Sequence, residues 1–221
     1  MDLMEAIKAR HSVRSYESKP LQPETVEALQ DAISKANAES GLHIQLVANE
    51  PAAFDGFMAH YGKFSGVQNY LALVGKKGPK LEETCGYYGE KLVLLAQQLG
   101  LNTCWVGLTF KKVKGAFEIA PGEKLVIVIA LGYGTTQGVT HKVKEASAVS
   151  NVAASSPDWF KAGVDAALLA PTAMNQQKFF LEHNGDYVSA KAGTAFFSKV
   201  DLGIVKYHFE IGAGKENFTW A

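Results

Sequence analysis

Leu3, Met4 and Ile7 fall on one helical face and predict a short first helix ending near Arg10. Pro20 and Pro23 interrupt the chain. Pro23-Glu24-Thr25 then opens a second helix, because a proline and an acid suit a first turn whose N–H groups have no intrahelical partner. Val26, Leu29, Ala32 and Ile33 give its buried stripe. Residues 44–47 and 70–74 are short apolar runs, β-branched or aromatic, bounded by Gly, Pro or Asn, and predict strands. From 82 to 99, Tyr88, Leu92, Leu95, Ala96 and Leu99 return to helical spacing, with Gly100 placed to close the helix. Residues 125–131 are apolar without a break, which fits a central strand covered on both faces. Gly132-Tyr133-Gly134 ends it.

Residues 135 to about 157 change to Thr, Gln, Gly, Ser, Ala and Lys with little periodicity, as a linker or a surface-hugging excursion would. Helical spacing resumes at Trp159, Val164 and Leu168. A strand-like run follows at 179–181, then a last helix from about 202 to 211, closed by Gly212 and Gly214. Strands and helices mix without βαβ alternation, so the expected class is α+β, a mixed or antiparallel sheet covered by helices. A weak internal repeat runs through the chain. Asp31-Ala32-Ile33 through Gln45-Leu46-Val47 can be laid over Asp165-Ala166-Ala167 through Phe179-Phe180-Leu181, and Gly89…Gly100…Trp105 over Gly203…Gly214…Trp220. The expected organisation is a first half at 1–140, a linker at 141–157, and a shorter second half at 158–221 packing on the first.

Composition narrows the function. Of 221 residues, 47% are hydrophobic and 20% charged, and Lys plus Arg equals Asp plus Glu at 22 each. A balanced charge argues against nucleic acid or an anionic membrane as the main partner, so any phosphate chemistry must come from local clusters. Cys85 and Cys104 have neither CxxC nor His-rich neighbours, which leaves a metal site unsupported. The first residues lack a signal core, and the longest apolar run is strand-sized, so a soluble, cytoplasmic chain is expected.

Arg10-His11-Ser12-Val13-Arg14 sets two guanidiniums, an imidazole and a hydroxyl where the first helix ends. Arg forks and a hydroxyl suit a phosphate, although a solvated basic turn has the same composition. Ala170-Pro171-Thr172-Ala173-Met174-Asn175-Gln176-Gln177 is a Pro-led turn with hydroxyl and amide groups at fixed positions, as a polar heterocycle or ribityl chain needs, or an ordinary helix–strand connection. Gly100-Leu101-Asn102-Thr103-Cys104-Trp105-Val106-Gly107 reads as a glycine-flanked turn whose amides can approach a flat ligand, or as packing around Trp105. His141, Lys142 and Lys144 lie beyond the 125–131 strand.

Taken in order, these segments resemble the FMN-dependent nitroreductase family: an R-x-S-x-R stretch, a helix followed by G-L-x-T-x-W-x-G, and a strand ending in G-Y with basic residues beyond. That family's A-P-S-x-x-N-x-Q turn follows its second helix. Here the matching place holds Ala36-Asn37-Ala38-Glu39-Ser40-Gly41-Leu42, and the turn stands at 170–177 instead. The chain thus resembles a fused, diverged version of the family's homodimer, a tandem-repeat branch, with one FMN per chain.

The resemblance implies that Arg10, Ser12 and Arg14 hold phosphate and ribityl oxygens, with His11 adding backbone or ring contacts. Pro171, Thr172, Ala173 and Asn175 would line the other side of the isoalloxazine. Backbone around Trp105, Val106, Gly107 and Leu108 would reach the flavin N5 and O4 edge, and Lys142 and Lys144 would add charge at the phosphate. It also implies an oxidoreductase in which the flavin carries the chemistry and no side chain serves as a catalytic nucleophile. NADH or NADPH would donate hydride in a ping-pong cycle to flat electron-poor small molecules such as nitroaromatics or quinones. The molecule would be a monomer with pseudo-dimeric halves, or a further homodimer of such chains. The alternative is a flavin-binding protein of the same fold with dehalogenase, flavin-fragmenting or no turnover.

Overall fold

The computed structural model describes residues 1–221. The chain divides into two compact units, and neither is a continuous stretch. The first, here the sheet unit, comprises Arg10–Leu81 and Lys91–Val139. The second, the helical unit, comprises Met1–Ala9, Glu82–Glu90 and Thr140–Ala221.

The sheet unit holds β1 (Leu42–Val47), β2 (Asn69–Lys76), β3 (Asn102–Val106) and β4 (Glu123–Gly132) in the order β1-β2-β4-β3, antiparallel throughout. The apolar run at 125–131 becomes β4, an inner strand, and Val128, Ile129, Ala130 and Leu131 are fully buried. α2 (Pro23–Ser40) packs on β1. Asn37 ties the two, its Nδ2 donating to the Ile44 carbonyl at 2.9 Å and its Oδ1 accepting from the Ile44 amide at 2.8 Å. Gly41, at φ 70°, makes the left-handed turn that lets α2 reverse into β1. A short helix, α3 (Phe57–Tyr61), joins β1 to β2 within a Gly- and Asp-containing stretch that shows no periodicity in the sequence. One sheet face is covered by a cluster of Phe54, Phe64, Tyr70, Val106, Val128 and their neighbours, with Phe54 and Phe64 rings 5.2 Å apart.

In the helical unit, α5 (Asp158–Leu168) lies against α6 (Ser198–Ala213), joined by α1 (Leu3–Ala9) and by the 82–90 part of α4 (Leu81–Gln98). Two glycines set the α4–α6 crossing. A Cβ on Gly86 would strike the Val200 carbonyl, and one on Gly203 would strike the Glu83 carbonyl. A small sheet completes this unit: β5 (Phe179–Asn184) and β6 (Tyr187–Ala192) form an antiparallel hairpin, and β7 (Thr219–Trp220) adds parallel to β6.

Three expectations change. The 100–107 segment is strand β3 from Asn102 on, because its backbone pairs with β4. Part of the expected linker is an ordered edge: Val149 is fully buried, and the Leu181 amide donates to its carbonyl at 2.8 Å. The last helix is longer than 202–211, beginning at Ser198 and ending at Ala213. The α+β class with helices and antiparallel strands stands. No helix is long and apolar enough to cross a membrane.

Candidate functional site

The basic cluster takes its shape from strand pairing. Ser12 bridges Thr103 in parallel, and the Val13 amide donates to the Thr103 carbonyl at 3.0 Å, so the stretch runs along the outer edge of β3. The alternation of an extended chain then points Val13 into the core and leaves Ser12 and Arg14 exposed. The Tyr16 hydroxyl fixes the bend from below, donating to the Val13 carbonyl at 2.7 Å. On the far side the Ser65 amide donates to the Arg14 carbonyl, and the Arg14 guanidinium stands 5.9 Å over the Phe64 ring. His11 lies against Gly138, where a Cβ would come within 2.7 Å of His11 Cβ.

Cys104, on β3, feels the charge and hydrogen bonding of this stretch. Burial pushes its thiol up, while the Arg14 charge, a hydrogen bond with Ser12 and the Arg10 charge pull it down. Arg10 is buried, whereas Ser12 and Arg14 are exposed, and all three bear on the Cys104 thiol. Two guanidiniums and a hydroxyl within one five-residue stretch form a donor set suited to a phosphate.

Trp105 and Val106 occupy ladder positions opposite Ile129 and Val128, which corrects their reading as turn residues. Gly107 and Leu108, just past the strand end, lie outside the named strands, and Leu108 is exposed.

The second group of candidates lies in the helical unit, around the 172–177 turn. Met174, Asn175 and Gln177 all have φ between 43° and 53°, the left-handed region that side chains with a Cβ rarely adopt. Side chains hold them there. Gln177 is buried, its Nε2 donating to the Lys142 carbonyl at 2.7 Å and its Oε1 accepting from the Lys144 amide at 2.9 Å. Asn175 Nδ2 also donates to the Lys142 carbonyl, at 2.8 Å. The Lys144 ammonium donates to the carbonyls of Gln176 and Gln177, at 2.8 and 2.9 Å, and so acts as a brace of the turn. His141 is bonded to the Leu168 carbonyl through Nε2 at 3.0 Å. Pro171, Thr172 and Ala173 are half-buried, whereas Met174 is almost fully exposed.

Asp201, in the first turn of α6, holds the turn from the other side. Its Oδ1 accepts from the Ala173 amide at 3.0 Å and its Oδ2 from Gln176 Nε2 at 2.6 Å. Burial lifts its pKa from 3.8 to about 6, against the pull of the Gln176 and Ala173 hydrogen bonds. Sequence reasoning missed Asp201, and named Gln176 and Gln177 only as part of the motif. One signal was available: an acid set between the apolar Val200 and Leu202 needs a partner once that stretch is buried. The candidates thus form two groups, each assembled inside its own unit.

Solved structures share the fold. A "putative nitroreductase" from Thermotoga maritima superposes with a TM-score of 0.70 at 22% identity, over 98% of this chain and 85% of that one. A "putative nitroreductase in complex with FMN" from Desulfovibrio desulfuricans gives 0.51 at 15% identity, over 67% and 95%. A "putative NADH dehydrogenase/NAD(P)H nitroreductase" from Parabacteroides distasonis gives 0.53 at 17%, over 70% and 98%. No curated protein matches the chain. The family described as "Putative TM nitroreductase" matches residues 2–213, nearly the whole sequence, and on that match the chain belongs to the nitroreductase family.

Proposed function

We propose that the protein is an FMN-dependent oxidoreductase that takes hydride from NADH or NADPH and delivers it to flat, electron-poor small molecules such as nitroaromatics or quinones. The observation that carries this reading is the pairing that lays the Arg10–Arg14 stretch along the edge of β3, in a chain of this family. The FMN-bound Desulfovibrio structure and the NAD(P)H-named Parabacteroides structure lend it support at the level of the fold. Bound FMN would supply the hydride-accepting and hydride-donating centre.

The chain's part is to bind and orient. Arg10, Ser12 and Arg14 hold the phosphate, Arg14 keeping its direction through the Phe64 ring. His11 contributes through its backbone or ring. The chain at Trp105, Val106, Gly107 and Leu108 provides backbone toward the flavin's polar edge, and Pro171, Thr172, Ala173 and Asn175 make further contacts. Lys142 and Lys144 act through the turn they brace.

We also read the chain as two diverged repeats, a fused pseudo-dimer. The crossing of α4 and α6 supports this: each of Gly86 and Gly203 abuts the carbonyl three residues before the other, the reciprocal pattern of a two-fold contact. This register is three residues from the pairing of Gly89 with Gly203 seen in the sequence.

Flavin titration of the purified protein tests the reading. The wild type is expected to take up FMN and to bleach with NADH or NADPH under argon. Arg10→Ala with Arg14→Ala is expected to weaken FMN binding by about 1.5–3 kcal/mol per lost charged hydrogen bond. Unchanged affinity in the double variant removes the phosphate assignment, and wild-type protein that takes up no FMN removes the function.

A further inference from the structure

A buried carboxylate that braces a strained turn is a costly way to make an ordinary connection. The 172–177 turn places three non-glycine residues in the left-handed region within four positions, and Phe197, the residue before α6, is there too at φ 56°. Strain of this kind persists only where surrounding groups over-determine the backbone, and it gathers at ligand-binding places. Asp201 supplies much of that determination. Both its oxygens accept, one from the Ala173 amide and one from Gln176 Nε2, and Gln176 Nε2 also donates to the Phe196 carbonyl at 2.8 Å. That last bond fixes which end of the Gln176 amide faces Asp201, so only an acceptor fits opposite it. An asparagine at 201 could satisfy the Ala173 amide with its oxygen but would set a second N–H against Gln176. Both of these Asp201 hydrogen bonds go to the turn rather than to its own helix.

We propose that Asp201 is a positioning residue: its carboxylate holds the 172–177 turn in the conformation that presents Ala173, Met174 and Asn175 to ligand. The consequence for ligand rests on the reading of this turn as a flavin contact. The hold on the turn itself does not. Two substitutions in the full chain test it, Asp201→Asn and Gln176→Leu, the second leaving the buried charge in place should the first fail to fold. Amide hydrogen exchange is followed at Ala173 and Gln177, with the β4 amides as reference, and FMN is titrated by its fluorescence and by the visible circular dichroism of the bound flavin.

The expected result is exchange at Ala173 faster by about tenfold or more, an FMN Kd raised about tenfold, and an altered flavin dichroism, with β4 exchange unchanged. Exchange at Ala173 equal to wild type in both variants overturns the proposal. Faster exchange with unchanged FMN affinity upholds Asp201 as the hold on the turn and overturns the turn as a flavin contact. Wild-type protein that takes up no FMN leaves the exchange comparison to decide on Asp201 alone.

Discussion

The two units bury different kinds of interior. In the sheet unit the middle of the sheet is hydrocarbon: Leu71, Ala72, Leu73 and Val74 of β2 lie beside Val128, Ile129 and Ala130 of β4, all fully buried. In the helical unit, α4 and α6 meet across polar pairs. Lys206 binds Glu83, the Tyr87 hydroxyl donates to Glu210 at 2.6 Å, and His208 Nε2 stands 2.8 Å from Glu90 Oε1 with both residues fully buried. Hydrocarbon stabilises by area and tolerates small slips, whereas a buried donor must meet its own acceptor. Sliding α6 along α4 by one turn would separate all three pairs at once. The Gly86–Gly203 contact brings the two backbones together, and the polar pairs then fix the register.

The comparison breaks most decisively at His208. Its Nδ1 lies 3.1 Å from the Ala166 carbonyl on α5, so one ring ties three helices. His208→Leu keeps comparable volume but leaves the Glu90 carboxylate in the interior without its imidazole. A loss of about 3–5 kcal/mol is expected, the usual cost of removing one member of a buried pair. Urea unfolding followed through Trp159 and Trp220, both in this unit, measures it. Adding Glu90→Leu should return part of the loss. A neutral single substitution would mean that the polar interior contributes no more than leucine does.

This contrast also explains what the sequence made legible. The hydrocarbon of the sheet unit announces itself: 70–74 and 125–131 are read directly as strands, and α2 as a helix from its proline and apolar stripe. β3 escapes, because Gly100, Asn102 and Gly107 punctuate a segment whose strand state comes from its pairing with β4. β6 escapes as well, since its one fully buried side chain, Val188, gives no alternation to read. The first cluster of the site was legible because its residues are five in a row. Asp201 was not, because its partners Ala173 and Gln176 lie far back in the chain and only folding brings them together. The assignment of Met1–Ala9 and Glu82–Glu90 to the helical unit is likewise a property of packing that no local pattern encodes.

A second difference between the units concerns pH. Asp201, in the helical unit, titrates at about 6 in the fold against 3.8 for the ordinary group, raised first of all by burial. The folded protein therefore holds this proton more tightly than the unfolded chain. Its contribution is fully present below pH 3.8 and is lost as pH rises through 6, amounting to about 3 kcal/mol. Glu123, whose carboxyl the His43 hydrogen bond holds down, acts in the opposite sense, so the comparison is with Asp201→Asn. Between pH 7 and pH 4.5 the wild type should gain about 2 kcal/mol relative to the variant, seen in paired denaturant titrations. A constant difference across that range would mean that burial does not raise this carboxyl.

The smallest effect expected, and the sharpest test of the hydrocarbon interior, is at Tyr70 in β2. Its ring is fully buried, edge-on to Phe54 at 5.9 Å and to Phe117 at 6.4 Å, and its hydroxyl is buried with no hydrogen-bond partner. Burial, and secondarily the Glu50 charge, pushes its pKa up to about 12, so the group stays neutral throughout the working range. A neutral hydroxyl removed from water without a partner costs stability, and phenylalanine keeps the ring contacts while deleting that cost. Tyr70→Phe should therefore stabilise the sheet unit by about 1 kcal/mol, equally at pH 5 and pH 9, with Trp105 as the fluorescent reporter. Phenylalanine would pack as well at this site, and the sign of this one substitution decides what the hydroxyl does. A gain leaves the sheet interior hydrocarbon in function as well as in composition. A loss would show that the hydroxyl binds a buried water, and the two units would then differ in the number of their interior polar bonds rather than in kind.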